Sequence, residues 1–149
     1  MMLPLPGRRR ALAIIAVVLV TAAIGAVPTR ALAQDPRITE AQRAARDWLA
    51  LSDAGDVQGS YASSSPKFQA AMTPQQWADA SSKARTPYGA VRQRTLAATQ
   101  AALQVPNLPA GTYVLLMYRT NFANRDAAET ITMERGADGA WRLVGYSIR

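Results

Sequence analysis

Ser64 and Lys67 stand three residues apart, the S-x-x-K spacing in which an amine one helical turn away activates a serine hydroxyl for acyl transfer. Pro66 intervenes, no S-D-N or K-T-G partner motif occurs, and 149 residues are too few for that fold. The spacing therefore reads as a chance match within a serine-rich turn. Other nucleophile systems fail on inventory. The chain has no histidine and no cysteine, so a Ser-His-Asp triad, a Cys-His dyad and histidine- or thiolate-based metal sites are impossible. A hard cation held by carboxylates alone needs clustered oxygen ligands. Asp53 and Asp56 are the nearest pair, and Asp56 is more simply a helix cap, so no metal is expected. The glycines sit singly at turns and caps, and none forms a phosphate-cradling loop.

One chemistry stays open. Asp47, Tyr61, Tyr118 and Arg119 are residue types that serve as a carboxylate base, a hydroxyl donor and a charge stabiliser if a fold brings them into one cavity. Singly, each has a plainer reading: Asp47 on a solvated helix face, Tyr61 and Tyr118 in the core or at its rim, Arg119 in water. Trp48, Trp77 and Trp141 could stack a ligand, but beside apolar neighbours at helical and strand spacing they read as core.

The elements that must position these residues divide at position 89. Thr39-Glu40-Ala41-Gln42 has the form of a capping box, and Ala41, Ala44, Ala45, Trp48 and Leu51 follow at helical spacing toward a stop at Gly55. A second stretch from Asp56 carries Val57 and Tyr61. Ser65 as a cap with Pro66 in the first helical position starts a short turn through Phe68. Thr73, Pro74 and Gln76 make a second box, with Met72 and Trp77 at the spacing of a hydrophobic staple, and that helix should end before Pro87. From Gly89 the period becomes two. Strands are expected over Ala90–Leu96, extending unevenly toward Val105, and over Tyr113–Phe122, Glu129–Arg135 and Trp141–Ile148. Asp138-Gly139 supplies a tight hairpin. Helices first and then a meander of strands imply an α+β domain with N-terminal helices packed on a four-stranded antiparallel sheet.

The first residues give an address. Arg8, Arg9 and Arg10 precede a run from Ala11 to Val27 that is apolar except for Thr21 and Gly25. Pro28 breaks the run, and Ala31-Leu32-Ala33 offers small residues where a signal peptidase reads. That layout is a secretory signal peptide cleaved after Ala33. The run is shorter than the roughly 20 apolar residues of a spanning helix. Without cysteine the product cannot be a lipoprotein, and it is expected in the periplasm or outside the cell, free of the membrane. Losing Arg8, Arg9, Arg10 and Arg30 leaves 13 basic against 10 acidic residues in the domain from Gln34 to Arg149. That modest excess is too small and too scattered for nucleic-acid binding.

An ordered set of residues resembles the bacterial exported family of domain of unknown function 4019. It runs from Trp48-Leu49 with Leu51, Asp53 and Gly55, through Trp77, to Arg85-Thr86-Pro87-Tyr88-Gly89. It continues in Leu108-Pro109-Ala110-Gly111-Thr112-Tyr113 and Tyr118-Arg119-Thr120-Asn121-Phe122, and closes with Asp138-Gly139-Ala140-Trp141-Arg142-Leu143, Gly145-Tyr146 and Ile148. Tyr61 departs from it, standing where a tryptophan would be expected. The resemblance implies export and a curved sheet similar to the cystatin-like and nuclear-transport-factor-like cones. It transfers no catalytic residue and no cofactor. A cone can host a carboxylate and a tyrosine for proton transfer, as in ketosteroid isomerases, which makes a small lyase or isomerase the alternative to a non-enzymatic binding module.

Alternation in the strands suggests where binding would occur. Val114, Leu116, Tyr118 and Phe122 share one face of their strand and Tyr113, Leu115 and Met117 the other. In the last strand Val144, Tyr146 and Ile148 stand opposite Trp141 and Leu143. Helices cover one face only, so Tyr113, Leu115, Met117, Trp141 and Leu143 are expected to form an apolar patch for a homodimer, a partner protein or a small apolar ligand.

Overall fold

The computed structural model describes residues 35–149; the leader, the cleavage site at Ala33 and Gln34 lie outside the described residues. Four helices precede four strands: α1 (Pro36–Asp53), α2 (Val57–Ala62), α3 (Pro66–Ala71), α4 (Pro74–Arg85), β1 (Val91–Ala102), β2 (Tyr113–Phe122), β3 (Asp126–Arg135) and β4 (Trp141–Ile148). The strands form one antiparallel sheet in the order β1-β2-β3-β4, so the fold is α+β with the expected helix-then-meander arrangement. No helix among the described residues is long and apolar enough to cross a membrane.

Local chemistry explains most element ends. Asp56 caps α2 by accepting the Gly59 N–H at 2.8 Å, and Ser65 caps α3 by accepting that of Phe68 at 3.2 Å. At α4 the box closes in both directions: Gln76 N–H donates to Thr73 Oγ1 at 3.2 Å, and Thr73 N–H donates to Gln76 Oε1 at 2.8 Å. Replacing Thr73 with alanine removes one of these bonds and is expected to cost about 1 kcal/mol, read as a shift in the urea midpoint with unchanged slope. Gly55 ends α1 at φ +72°, the left-handed region where a side chain is strained. At the β3–β4 hairpin Gly139 takes φ +80°, and Arg142 beside Asp138 holds its carboxyl down at about 2.

Two expectations need correction. The first helix starts at Pro36 with Asp35 as its cap, not at the Thr39 box, because Asp35 followed by proline meets the same need one turn earlier and leaves Thr39 inside the helix. The last strand does not alternate evenly. Thr132 pairs with Gly145 and Met133 with Leu143, so Val144 is an extra residue in a β-bulge. The bulge reverses the phase, and Trp141, Leu143 and Tyr146 all join the core on the helix-covered side.

That core contains Ala41, Ala45, Trp48 and Leu49 from α1, Phe68 from α3 and Trp77 from α4. Against them stand Val114, Leu116, Tyr118, Ile131, Met133, Trp141 and Leu143 of the sheet. The aromatic rings meet edge to face or tilted: Trp48–Trp77 at 5.8 Å, Phe68–Trp77 at 5.3 Å and Trp48–Tyr146 at 5.4 Å between centroids. The two sheet edges differ. Ser65 N–H, at the start of α3, donates to Leu143 O of β4 at 2.7 Å. No backbone group of another element bonds residues 91–102 of β1, apart from β2, among the described residues.

Candidate functional site

The densest chemistry in the fold is a closed ion network at the α4–β1 end of the helix–sheet interface. Glu129 of β3 is fully buried. Arg94 of β1 donates to it from Nε at 2.6 Å and from Nη2 at 3.1 Å, Thr120 Oγ1 donates at 2.5 Å and Tyr146 OH at 2.7 Å. Arg85 at the end of α4 stands 3.5 Å away and also donates to Tyr146 OH at 3.0 Å. Asp53, in the last turn of α1, joins both arginines, with Arg85 Nη2 at 2.5 Å and Arg94 Nη1 at 2.6 Å. Two cations and two carboxylates thus balance, and one network ties α1 and α4 to all four strands.

The electrostatics suit a structural role. Burial works against the charge on Arg94, but its hydrogen bonds to Asp53 and Glu129 outweigh that and raise its pKa further. Burial, with the Glu129 carboxylate beside it, pushes the Tyr146 hydroxyl well up, so it stays protonated as a donor throughout the neutral range. Every acidic and basic group here is spent on another: Asp53 and Arg94 line an open depression of about 250 Å³ beside Tyr118, and Asp53 and Arg85 another of about 340 Å³, but each reaches it already ion-paired, and Glu129 lines neither. The sequence held one unused signal. Glu129 is in phase with Ile131 and Met133, so a carboxylate on an inward-facing register had to find cationic partners.

The residues considered for acid/base work are dispersed. Asp47 is exposed on α1. Tyr61 OH lies 2.9 Å from Met72 O and 3.1 Å from Gln69 O, pinning the α3–α4 junction. Tyr118 is buried in the core and Arg119 is exposed. The space a cone would offer between helices and sheet is filled by Trp48, Phe68, Trp77 and Tyr146. Two of the three tryptophan N–H groups bond within the protein, Trp48 Nε1 donating to Ser60 O at 2.9 Å and Trp77 Nε1 to Ser60 Oγ at 3.0 Å, while Trp141 Nε1 is buried without a partner among the described residues. Ser64 Oγ donates to Ser60 O at 2.7 Å and Lys67 pairs with Glu134, so the S-x-x-K pair is not assembled. No group of three metal-ligating side chains occurs among the described residues.

The five residues expected on one apolar face are divided by the structure. Trp141 and Leu143 belong to the core. Tyr113 alternates with the core residues Val114 and Leu116 yet is fully buried: its hydroxyl donates to Pro109 O at 2.7 Å, a Cβ at Gly111 would come within 3.1 Å of its ring, and Lys67 Nζ lies 6.0 Å from the ring centroid. Leu115 and Met117 remain half-buried on the outer face. Their cross-strand neighbours are Thr132 and Thr130, followed by Gly145 and Ser147, so that surface is mixed rather than apolar. The large hydrophobic side chains that are exposed lie elsewhere: Leu96 in β1 is 38 % exposed and Leu103, just beyond its end, 72 %.

Four helices on one side of an antiparallel meander, locked by a buried ion network and an aromatic plug, define an α+β domain in which Tyr118 alone of the acid/base candidates lines the depression between α1 and the sheet. The chain belongs to the protein family of unknown function DUF4019, whose model matches residues 44–146. No curated protein and no solved structure matches it.

Proposed function

We propose that the chain is an exported, non-enzymatic binding module that takes up another polypeptide strand along the open edge of β1. The observation that carries this is the contrast between the sheet's two edges. Bare strand edges are templates for pairing, and proteins protect them with charge, proline, bulges or a covering element. The β4 edge receives α3. Among the described residues the β1 edge receives no backbone hydrogen bond from another element, α1 reaching it through the Gln42 amide, which donates to Thr99 Oγ1 at 3.2 Å, and from Thr95 through Tyr118 the chain has no charged residue. Bulges at Arg92 and Ala97 interrupt β1, but Ala98–Ala102 pairs regularly and carries only small or uncharged side chains. Leu96 and Leu103 flank that segment and add exposed apolar surface.

A second copy of the chain is the simplest occupant. Antiparallel pairing centred on Gln100 sets Ala98 against Ala102 of the other strand and keeps Arg92 and Arg94 of the two strands apart, avoiding like-charge opposition. Export rests on the leader residues Arg8 to Ala33, and a cone-like curvature of the sheet rests on the helix-then-sheet order and on the three bulged registers, which increase twist. Two other readings have less behind them. A lyase or isomerase needs a free carboxylate and a tyrosine in one cavity; Asp47 lies on the surface, and Asp53, which shares a depression of about 250 Å³ with Tyr118, is ion-paired to both Arg85 and Arg94. A small apolar ligand would have the cleft between Ile38, Leu103, Val114 and Trp141, which at about 200 Å³ falls below the roughly 300–1,000 Å³ of ordinary ligand pockets.

Sedimentation velocity on the purified protein, with crosslinking in its own compartment, tests the edge. The parent chain should sediment above monomer mass or crosslink through β1. Ala98→Lys, exposed and outside the core, should leave the melting temperature nearly unchanged and abolish the association. A parent chain that stays strictly monomeric at high concentration with no crosslinked partner removes the proposal.

A further inference from the structure

The outer face of the sheet carries a second feature, independent of the β1 edge. Near its Gln93 end lies an open depression of about 540 Å³ lined by Gln93, Thr95, Arg119, Asn121, Asp126 and Arg149, with Ala127 and Ala128 in its floor. The strand register builds it from two rows of side chains. Thr95 pairs with Arg119 and Arg119 with Ala128, and Ala128 exchanges both backbone hydrogen bonds with Arg149, at 2.8 and 3.0 Å. In the next row Gln93 pairs with Asn121 and Asn121 with Asp126. Arg119 and Arg149 thus rise on either side of one alanine, two strand spacings or roughly 10 Å apart at the backbone, close enough for both side chains to lean over the same small floor.

Their charges are unspent. Arg37, Arg85, Arg94 and Arg142 each have a carboxylate partner, and Arg125 lies 4.1 Å from the Tyr88 ring centroid. Arg119 and Arg149 have no ion pair among the described residues. The acidic side chain in the depression, Asp126, accepts a hydrogen bond from Asn121 Nδ2 at 2.5 Å and pairs with neither guanidinium. Two arginines beside a small-residue floor, with Gln93, Asn121 and Thr95 at the rim, line one volume open to solvent. Guanidinium binds phosphate through paired N–H···O contacts. A phosphate dianion supplies enough acceptor oxygens to engage both forks at once, whereas a single neutral ligand would leave two cations opposed.

We infer that Arg119 and Arg149 form a binding site for a phosphate group, either free or carried on a small organic molecule. The site deepens the binding-module reading without depending on it, since the outer face and the β1 edge present different surfaces.

Isothermal titration calorimetry of the purified protein at low salt tests this with inorganic phosphate and glycerol phosphate as the two sources, and sodium acetate as a monoanion. The expected result is saturable binding of at least one phosphate, tighter than acetate. Arg119→Gln and Arg149→Gln should each weaken it roughly tenfold or more, the loss of a charged hydrogen-bonding partner, while Arg43→Gln on α1 leaves it unchanged. All three positions are exposed, so melting temperatures should stay level. Glycerol phosphate binding more tightly than the free ion would assign the site to organic phosphates, and the reverse to phosphate itself. The inference is overturned if neither phosphate saturates, if acetate binds as well, or if Arg43→Gln weakens binding as much as the other two.

Discussion

Glu129→Ala is expected to lower the unfolding free energy by about 3–5 kcal/mol, the usual cost of removing one member of a buried ion pair and stranding the rest. Glu129 has no exposed surface and accepts from Arg94, Thr120 and Tyr146. Without it the Tyr146 hydroxyl and one side of Arg94 lose their acceptor at a position where Glu129 itself has no exposed surface. Asp53 can hold the arginines only from its own side, where it is partly solvated. The measure is the urea midpoint with an unchanged slope. Glu129→Gln keeps the shape and one acceptor oxygen but removes the charge, and should fall between the parent and the alanine variant. The variant Arg85→Met, Arg94→Met, Thr120→Val, Glu129→Leu, Tyr146→Phe should recover much of the loss, because apolar replacement of the buried members leaves only the partly solvated Asp53 and avoids orphaned donors and charge. A Glu129→Ala loss under about 1 kcal/mol would mean that water enters the site and that the network does not lock the helices to the sheet.

The network also shows where reading the sequence stops. Caps and punctuation were legible because their physics is local: Thr73 with Gln76, Ser65 with Pro66, and Asp138 with Gly139 each satisfy a backbone need within four residues. The bounds of β2 and β4 followed from dense strand formers. Side-chain facing in β4 was not legible, since the extra residue at Val144 is defined only by its pairing with β3. A one-residue slip reverses the phase of the residues before it relative to those after it, so Trp141 and Leu143 share the core side with Tyr146 instead of standing opposite it in an outer patch. The ion network was half visible. Asp53, Arg85, Thr120 and Tyr146 stand within the family pattern, but Arg94 lies in a bulged strand whose inward register cannot be counted from alternation. Tyr113 does alternate with Val114 and Leu116, yet the 103–112 loop that buries it closes through Gly111 N–H to Leu103 O at 3.0 Å and Tyr113 OH to Pro109 O, and neither bond is a sequence-local signal.

Trp77→Ala is expected to cost about 3–5 kcal/mol, the range for deleting a large buried aromatic side chain whose surroundings collapse only in part. Trp77 is 5 % exposed and touches Trp48, Phe68 and Tyr146, rings contributed by α1, α3 and β4. A cavity at that point therefore loosens three elements at once. Trp77→Phe retains most of that contact and loses chiefly the hydrogen bond to Ser60 Oγ. It should cost about 1 kcal/mol, near the net worth of one such bond, so the two variants separate packing from hydrogen bonding at a single site. The same pair bears on function. If the aromatic plug serves only to seal the interior, Trp77→Phe should leave phosphate titration at Arg119 and Arg149 and association through β1 unaltered, because both lie on surfaces the plug does not line. A Trp77→Phe variant that remains folded yet loses either activity would show that ligands reach the interior after all, and the enzyme-type cavity would have to be reconsidered.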